Sequence, residues 1–335
     1  MELQIRNELA LGLSSKVVHT SNIQSQRYGI EQKQNAEGIN MRTCIAVLAA
    51  GSAMLLAPAY AQPQSETGLL SSGDVRAGFG LRGCRNTDTD AGAGDCGRHP
   101  AAEIGGRWSF PLGNSFSLQL DAEYERNWNM HDQSHQVAKV PSLGLHASYR
   151  DPSRFLLGAF GGHTGTEVDA NSGSHRTKGP FYGVEGQFYV NRVTVYGQVG
   201  KAKINNYNSG DNEFKGRFET IAGRFFPTDD SMIQIAYGHG HTNNFEDKGD
   251  WGTAKEYSVL GTMRVTQSMP LYGFVKYKHG KYIANTEDVG KDKALMIGVS
   301  WLFGAPSLLA QDRRGATLST PMLPGRAAGW SQALD

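Results

Sequence analysis

The sequence predicts an all-β protein: a closed, antiparallel, up-and-down transmembrane barrel of about twelve strands. Three observations predict it. First, segments of alternating apolar and polar residues are joined in turn by short and long connections between about residues 73 and 304. The short ones are Pro111-Leu112-Gly113-Asn114, Asp151-Pro152, Asn191-Arg192, Pro227-Thr228-Asp229-Asp230 and Gln267-Ser268-Met269-Pro270. The long ones carry polar runs such as Asp169 to Lys178, Asn205 to Asn212 and Asn243 to Gly252. Short turns at one rim and long loops at the other mark a membrane barrel. Second, 42 glycines suit a strongly bent, closed sheet. Third, no segment after the amino-terminal region has the roughly 20 apolar residues of a membrane helix.

Taken in order, residues 1–40 are polar and aperiodic and read as an upstream leader or a misassigned start. Residues 41–61 read as a signal peptide. Arg42 supplies charge, Ile45 to Leu56 a short apolar core, and Ala59-Tyr60-Ala61 a cleavage site before Gln62. Five of the 33 basic and four of the 32 acidic residues lie in 1–61, which leaves 28 of each. A balanced mature chain excludes nucleic acid as an expected partner. Residues 62–72 form a short periplasmic segment, and 73–304 the barrel.

The twelve strands are expected near 73–82, 101–110, 115–127, 138–149, 153–166, 178–190, 192–205, 214–226, 231–242, 254–267, 270–282 and 292–303. An even number returns both ends to the periplasm. In the third, Phe116, Leu118, Leu120, Ala122 and Tyr124 share one face and Ser117, Gln119, Asp121, Glu123 and Glu125 the other. The apolar set faces lipid, because carboxylates there are costly. The fourth turns Leu143, Leu145, Ala147 and Tyr149 outward and Ser142, Gly144, His146 and Ser148 inward. The tenth turns Tyr257, Val259, Gly261, Met263 and Val265 outward, and the last Leu295, Ile297, Val299, Trp301 and Phe303. The fifth and eighth are ambiguous, and alternation does not orient them. Aromatics beside the short turns (Trp108, Phe110, Tyr149, Phe225, Phe226, Trp301, Phe303) predict an interfacial girdle. Residues 305–335, rich in Ala, Pro, Gly and Ser, predict a disordered periplasmic tail.

The last strand ends Met296-Ile297-Gly298-Val299-Ser300-Trp301-Leu302-Phe303. It resembles the carboxy-terminal signal by which bacterial outer-membrane barrels reach their assembly machinery. Gly298, Trp301 and Phe303 match; Met296 replaces the usual polar first residue, and the chain continues beyond the final aromatic. Over residues 73–303 the chain is similar to the porin-like outer-membrane barrel superfamily. The resemblance implies outer-membrane lipid and the assembly machinery as partners.

The chemistry is concentrated inside. Alternation assigns Arg107, Asp121, Glu123, His146, Glu185, Gln187, Tyr196, Gln198 and Arg264 to the lumen, with Lys276 and Lys278. Tyr272 and Phe274 share the face of those two lysines and blur that assignment. A lumen of both signs can select solutes, or its charges can interlock and plug it. Cys84 and Cys96 are the two cysteines outside the signal, and in an oxidising compartment predict a disulfide across the first long loop. The Asn86, Asp88, Asp90 and Asp95 series lacks the turn glycine and the distal Glu of a calcium loop. His239 and His241 are two ligands at most, too few for a metal site.

His146 and Ser148 form an H-x-S pair similar to that of outer-membrane phospholipases and lipid A deacylases. The pair faces the lumen rather than the bilayer and no orienting third group is evident, so no catalytic residue, metal or cofactor is assigned. The expected function is passive diffusion of small hydrophilic solutes through the lumen. A non-conducting structural or accessory barrel is the alternative, with lipid hydrolysis behind it.

Overall fold

The computed structural model describes residues 71–86, 94–127, 136–170, 173–206, 212–245, 250–284 and 287–332. These residues belong to one compact unit, Ser65–Asp335. The leader, the signal peptide, Cys44 and most of the first loop, with Asp88 and Asp90, lie outside the described residues.

Twelve strands follow one another in chain order. They are β1 (Ser72–Asn86), β2 (Gly94–Leu112), β3 (Phe116–Asn127), β4 (Gln136–Asp151), β5 (Phe155–Ala170) and β6 (Gly173–Val190). Then come β7 (Val193–Asn206), β8 (Asn212–Thr228), β9 (Ser231–Phe245), β10 (Asp250–Arg264), β11 (Leu271–Ala284) and β12 (Glu287–Phe303). Each pairs antiparallel with its neighbour, and β1 closes on β12 from Gly73↔Phe303 to Asn86↔Gly290. All twelve predicted strands are present, and most run further towards the long loops than alternation indicated. Closure satisfies every strand edge, which a bilayer requires.

The outer face is apolar. Phe79, Leu143, Leu145, Leu157, Tyr182, Val184, Ile221, Ile235, Met263 and Ile297 are all exposed. A continuous belt of this kind is stable only against lipid. Strands β3, β4, β10 and β12 face as their alternation predicts. Aromatics pair beside the short turns: Phe116 with Tyr149 at 5.3 Å between centroids, Tyr149 with Phe155 at 6.1 Å, and Trp108 with Phe303 at 6.4 Å. One girdle assignment is wrong. Phe225 is exposed, but Phe226 is fully buried and points inward. Adjacent strand residues face opposite sides, so only one of such a pair can meet lipid.

The second correction concerns the carboxy terminus. Residues 305–332 are not a tail without structure; they fold back inside the barrel. Gly304, at φ +71°, turns the chain at the end of β12, where a side chain would collide with the Ser71 carbonyl. Helix α1 (Leu308–Arg314) follows, capped by Ser307, whose hydroxyl accepts from the Ala310 amide at 3.2 Å. An irregular stretch leads to α2 (Leu323–Gln332). Ala316, Leu318, Leu323, Ala327 and Ala328 are buried to 5% or less.

That segment explains why β5 and β8 resist orientation. Leu157 and Ile221 face lipid, while Leu156, Phe160, Phe214, Phe218 and Ala222 face the lumen. Phe160, Phe181, Ile204, Phe214, Phe218 and Tyr282 pack with Leu323, Ala327 and Ala328 of α2 in one apolar core inside the barrel. A second inner cluster joins Leu156, Tyr189, Tyr196 and Ala222 to Leu318. These strands bury apolar side chains on both faces, so period two fades. Among β10–β12, the Phe274 ring lies over the inward face of Gly298, where an added Cβ would come within 2.4 Å of it. Gly298 of the terminal signal thus has a packing role in the folded barrel.

Candidate functional site

The lumen and the segment within it form the site. All eleven residues assigned to the interior stand on the inner face, and the structure sorts them into two groups.

The first group forms ion pairs across the wall. Arg107 Nε donates to Asp74 Oδ1 at 2.8 Å. Lys276 Nζ donates to Glu103 at 2.6 Å, and Lys278 Nζ to Glu125 at 2.6 Å. Arg76 pairs with Glu123, and Arg82 with Asp292. Arg264, near the short-turn rim, lies 2.9 Å from Asp230 and donates to the Tyr272 hydroxyl at 2.7 Å and the Pro306 carbonyl at 2.6 Å. Tyr272 and Phe274, which blurred the facing of β11, are inward beside the two lysines. Asp74, Arg76 and Glu103 are members that facing arguments could have supplied and that the sequence reading did not list.

The second group lies under the segment. His146 is fully buried, with Nδ1 2.6 Å from Glu185 Oε1 and Nε2 2.9 Å from Asp121 Oδ1, an ion-pair contact that is not aligned as a hydrogen bond. The Tyr196 hydroxyl lies 3.0 Å from Glu185 Oε2 and 2.9 Å from Gln198 Oε1. Gln187 accepts from the Tyr189 hydroxyl at 2.8 Å and donates to Thr317 Oγ1 at 3.1 Å. Ser148 shares a hydrogen bond with Ser117, 2.8 Å between hydroxyls. Both ring nitrogens of His146 therefore face carboxylates, and Ser148 has another hydroxyl as its partner.

Polar residues of the wall hold the segment along its length. Arg150 Nη1 donates to the Gly315 carbonyl at 2.9 Å. Gln119 Nε2 donates to the Leu318 carbonyl at 3.0 Å, while its Oε1 accepts from the Thr317 and Leu318 amides at 2.9 and 3.1 Å. Arg224 donates to Asp312 at 2.7 Å, to Thr317 Oγ1 at 2.6 Å and to the Thr317 carbonyl at 3.0 Å. Thr194 donates to Asp312 at 2.5 Å, and Thr166 to the Gly325 carbonyl. Deepest along the segment, Arg326 is forked between Glu125, at 2.8 and 3.1 Å, and Glu256. A bidentate guanidinium–carboxylate contact is the strong form of this interaction.

Between the segment and the wall a cavity of about 160 Å³ remains. Asp74, Arg76, Glu103, Arg107 and Lys276 line one side, and Gln311, Asp312, Thr317 and Ser319 of the segment the other. It has room for several waters or one small solute.

Cys84 is disulfide-bonded. The register sets Gly83 opposite Arg98 and Arg85 opposite Asp95, so Cys84 stands across from residues 96–97. The Cys96 side chain lies outside the described residues, as do those of Asn86 and Asp95. His239 Nδ1 lies 3.2 Å from Glu219, and no metal-binding group of three or more ligands occurs among the described residues.

A closed antiparallel barrel with an apolar belt and a charged interior has the architecture of an outer-membrane-type β-barrel. No protein-family model and no curated protein matches the chain. Among solved structures it is similar to an outer membrane channel from Pseudomonas putida F1 (11% identity, TM-score 0.45, covering 73% of this chain and 100% of that one). It is similar also to the translocator domain of the autotransporter NalP from Neisseria meningitidis (13%, 0.42, 69% and 88%) and to the porin KdgM in complex with disordered oligogalacturonate (12%, 0.37, 69% and 98%). The assignment of the fold rests on strand order, register and outer belt, not on these likenesses.

Proposed function

We infer that the protein is an outer-membrane channel for small hydrophilic solutes, narrowed by its own carboxy-terminal segment. The observation that carries this reading is the 160 Å³ cavity, bordered by ionised groups of both signs on the wall and by the segment opposite. A barrel needs no charged lumen for stability, since burying ion pairs is at best about neutral against apolar packing. Charges that border water suit selection of solutes by size and local field. The Arg107–Asp74, Arg76–Glu123 and Lys276–Glu103 pairs would act as the filter. In this reading a signal peptide exports the chain, both barrel ends face the periplasm, and no catalytic step is involved.

Planar-bilayer recordings test it. The full chain should give small, rare openings, and Arg326→Ala should make them larger or more frequent. Glu123→Gln should then shift ion preference towards anions. Folded, heat-modifiable protein that conducts in neither form would sink the channel reading. The second reading, a non-conducting structural barrel, is favoured by the paired charges and by the packing of α2 against six inner aromatic and aliphatic side chains.

A further inference from the structure

Charge pairing and apolar packing explain why α2 stays in the barrel. They do not explain how the irregular stretch between the helices is held. Residues 315–318 are contacted mainly through their backbone. One side chain, Gln119, uses both ends of its amide on the main chain of Thr317 and Leu318. Two guanidinium groups, Arg150 and Arg224, take the carbonyls of Gly315 and Thr317. These five hydrogen bonds read peptide groups. Around them are subsites for side chains. The Thr317 hydroxyl accepts from Arg224 and Gln187 and donates to Asp312. A carboxylate, Asp312, sits on Arg224 and Thr194, and a guanidinium, Arg326, on Glu125 and Glu256. Gln119, Arg150, Gln187 and Arg224 are each buried to 6% or less, so the polar groups they turn to the segment are costly to leave without it.

We propose that the lumen is a peptide-binding site, occupied in cis by residues 312–326, and that the solutes it accepts are peptides. The class follows from the chemistry. Amide and guanidinium donors aligned on successive carbonyls and N–H groups fit a main chain and leave much of its sequence free. Basic groups towards the short-turn rim and acidic groups further in suit a peptide bearing a carboxylate before a guanidinium. A sugar chain offers no N–H groups in that register. The inference deepens the channel reading by naming its solute, but binding and conduction are separable.

The test keeps the full chain through folding. A protease site placed after Gly304 is cut once the barrel has folded, and a fluorescent peptide of sequence 305–335 is added in excess. The expected result is saturable exchange of labelled for resident segment. Gln119→Leu should weaken it about tenfold or more, since it removes three hydrogen bonds. Gln187→Leu should weaken it less, and serves if the first variant does not fold. Unrelated peptides carrying an Asp before an Arg should compete, and maltoheptaose should not. Failure of the labelled peptide to exchange, or equal competition by the oligosaccharide, would overturn the proposal. Conductance is recorded on the same cut barrel. Conduction without exchange removes the peptide site and leaves the channel; exchange without conduction does the reverse.

Discussion

Arg326 shows how much of the lumen depends on single side chains. Its guanidinium satisfies Glu256 and shares Glu125 with Lys278. Removing it leaves the partly buried Glu256 without that counter-charge. The cost falls below the roughly 3–5 kcal/mol of breaking a fully buried pair, because the remaining carboxylate keeps some solvent. Arg326→Ala should therefore loosen the segment more than the barrel. Limited proteolysis should cut residues 305–332 in the variant while the barrel keeps its heat-modifiable migration; equal resistance in both proteins would contradict the latch. Leu156 and Leu157 offer the matching residue-scale test of facing. Leu157 is 61% exposed to lipid and Leu156 fully buried inside. Leu157→Lys should destabilise the barrel by about 2–4 kcal/mol if it lies near the bilayer midplane. Unfolding in lipid vesicles by denaturant should report that loss, whereas Leu157→Phe should leave the midpoint nearly unchanged.

At the scale of elements, the inner faces of β5–β8 and the helix α2 depend on one another. Phe160, Phe181 and Phe218 stand 6.1–6.2 Å apart between paired centroids and close over the helix. Phe218→Ala would open a hole beneath α2, at a cost of about 3–5 kcal/mol typical of a buried Phe truncation. The expected outcome is faster amide exchange in α2, with the β7–β8 ladder still protected. If α2 were only resting in the lumen, its exchange would not change. The same pairing marks the limit of reading elements from pattern. β3, β4, β10 and β12 each have one wet and one greasy face, so their orientation was legible. β5 and β8 have greasy residues on both, and nothing local says that the second face is covered by the chain's own end.

For the whole molecule, the open question of a conducting or filled lumen becomes a matter of where residues 305–332 reside. The segment lies in the lumen and leaves a 160 Å³ cavity bordered by β1, β2 and β8–β12. A barrel that rests closed and opens when the segment withdraws should show conductance that rises with mild destabilisation of the segment. Raising temperature or adding low urea in planar-bilayer recordings should increase opening in Arg326→Ala well before the barrel unfolds. A flat response up to barrel unfolding would count against withdrawal. The twelve strands, an even number as the alternating segments predicted, let β1 close antiparallel on β12.

What the sequence determined by itself was governed by near neighbours: strand number and order, the facing of β3, β4, β10 and β12, and the short turns. Each follows from period-two alternation and from turn residues a few positions apart, so a local reading suffices. The tertiary structure decided the fate of the carboxy terminus and which charges pair. Gln119 meets Leu318 across 199 positions, and Arg326 meets Glu125 across 201. Residues 305–332 lack a strong pattern because their partners surround them on many strands rather than along one face. A composition rich in small residues, read as freedom, is what allows a chain to thread a lumen already lined with aromatic and charged side chains.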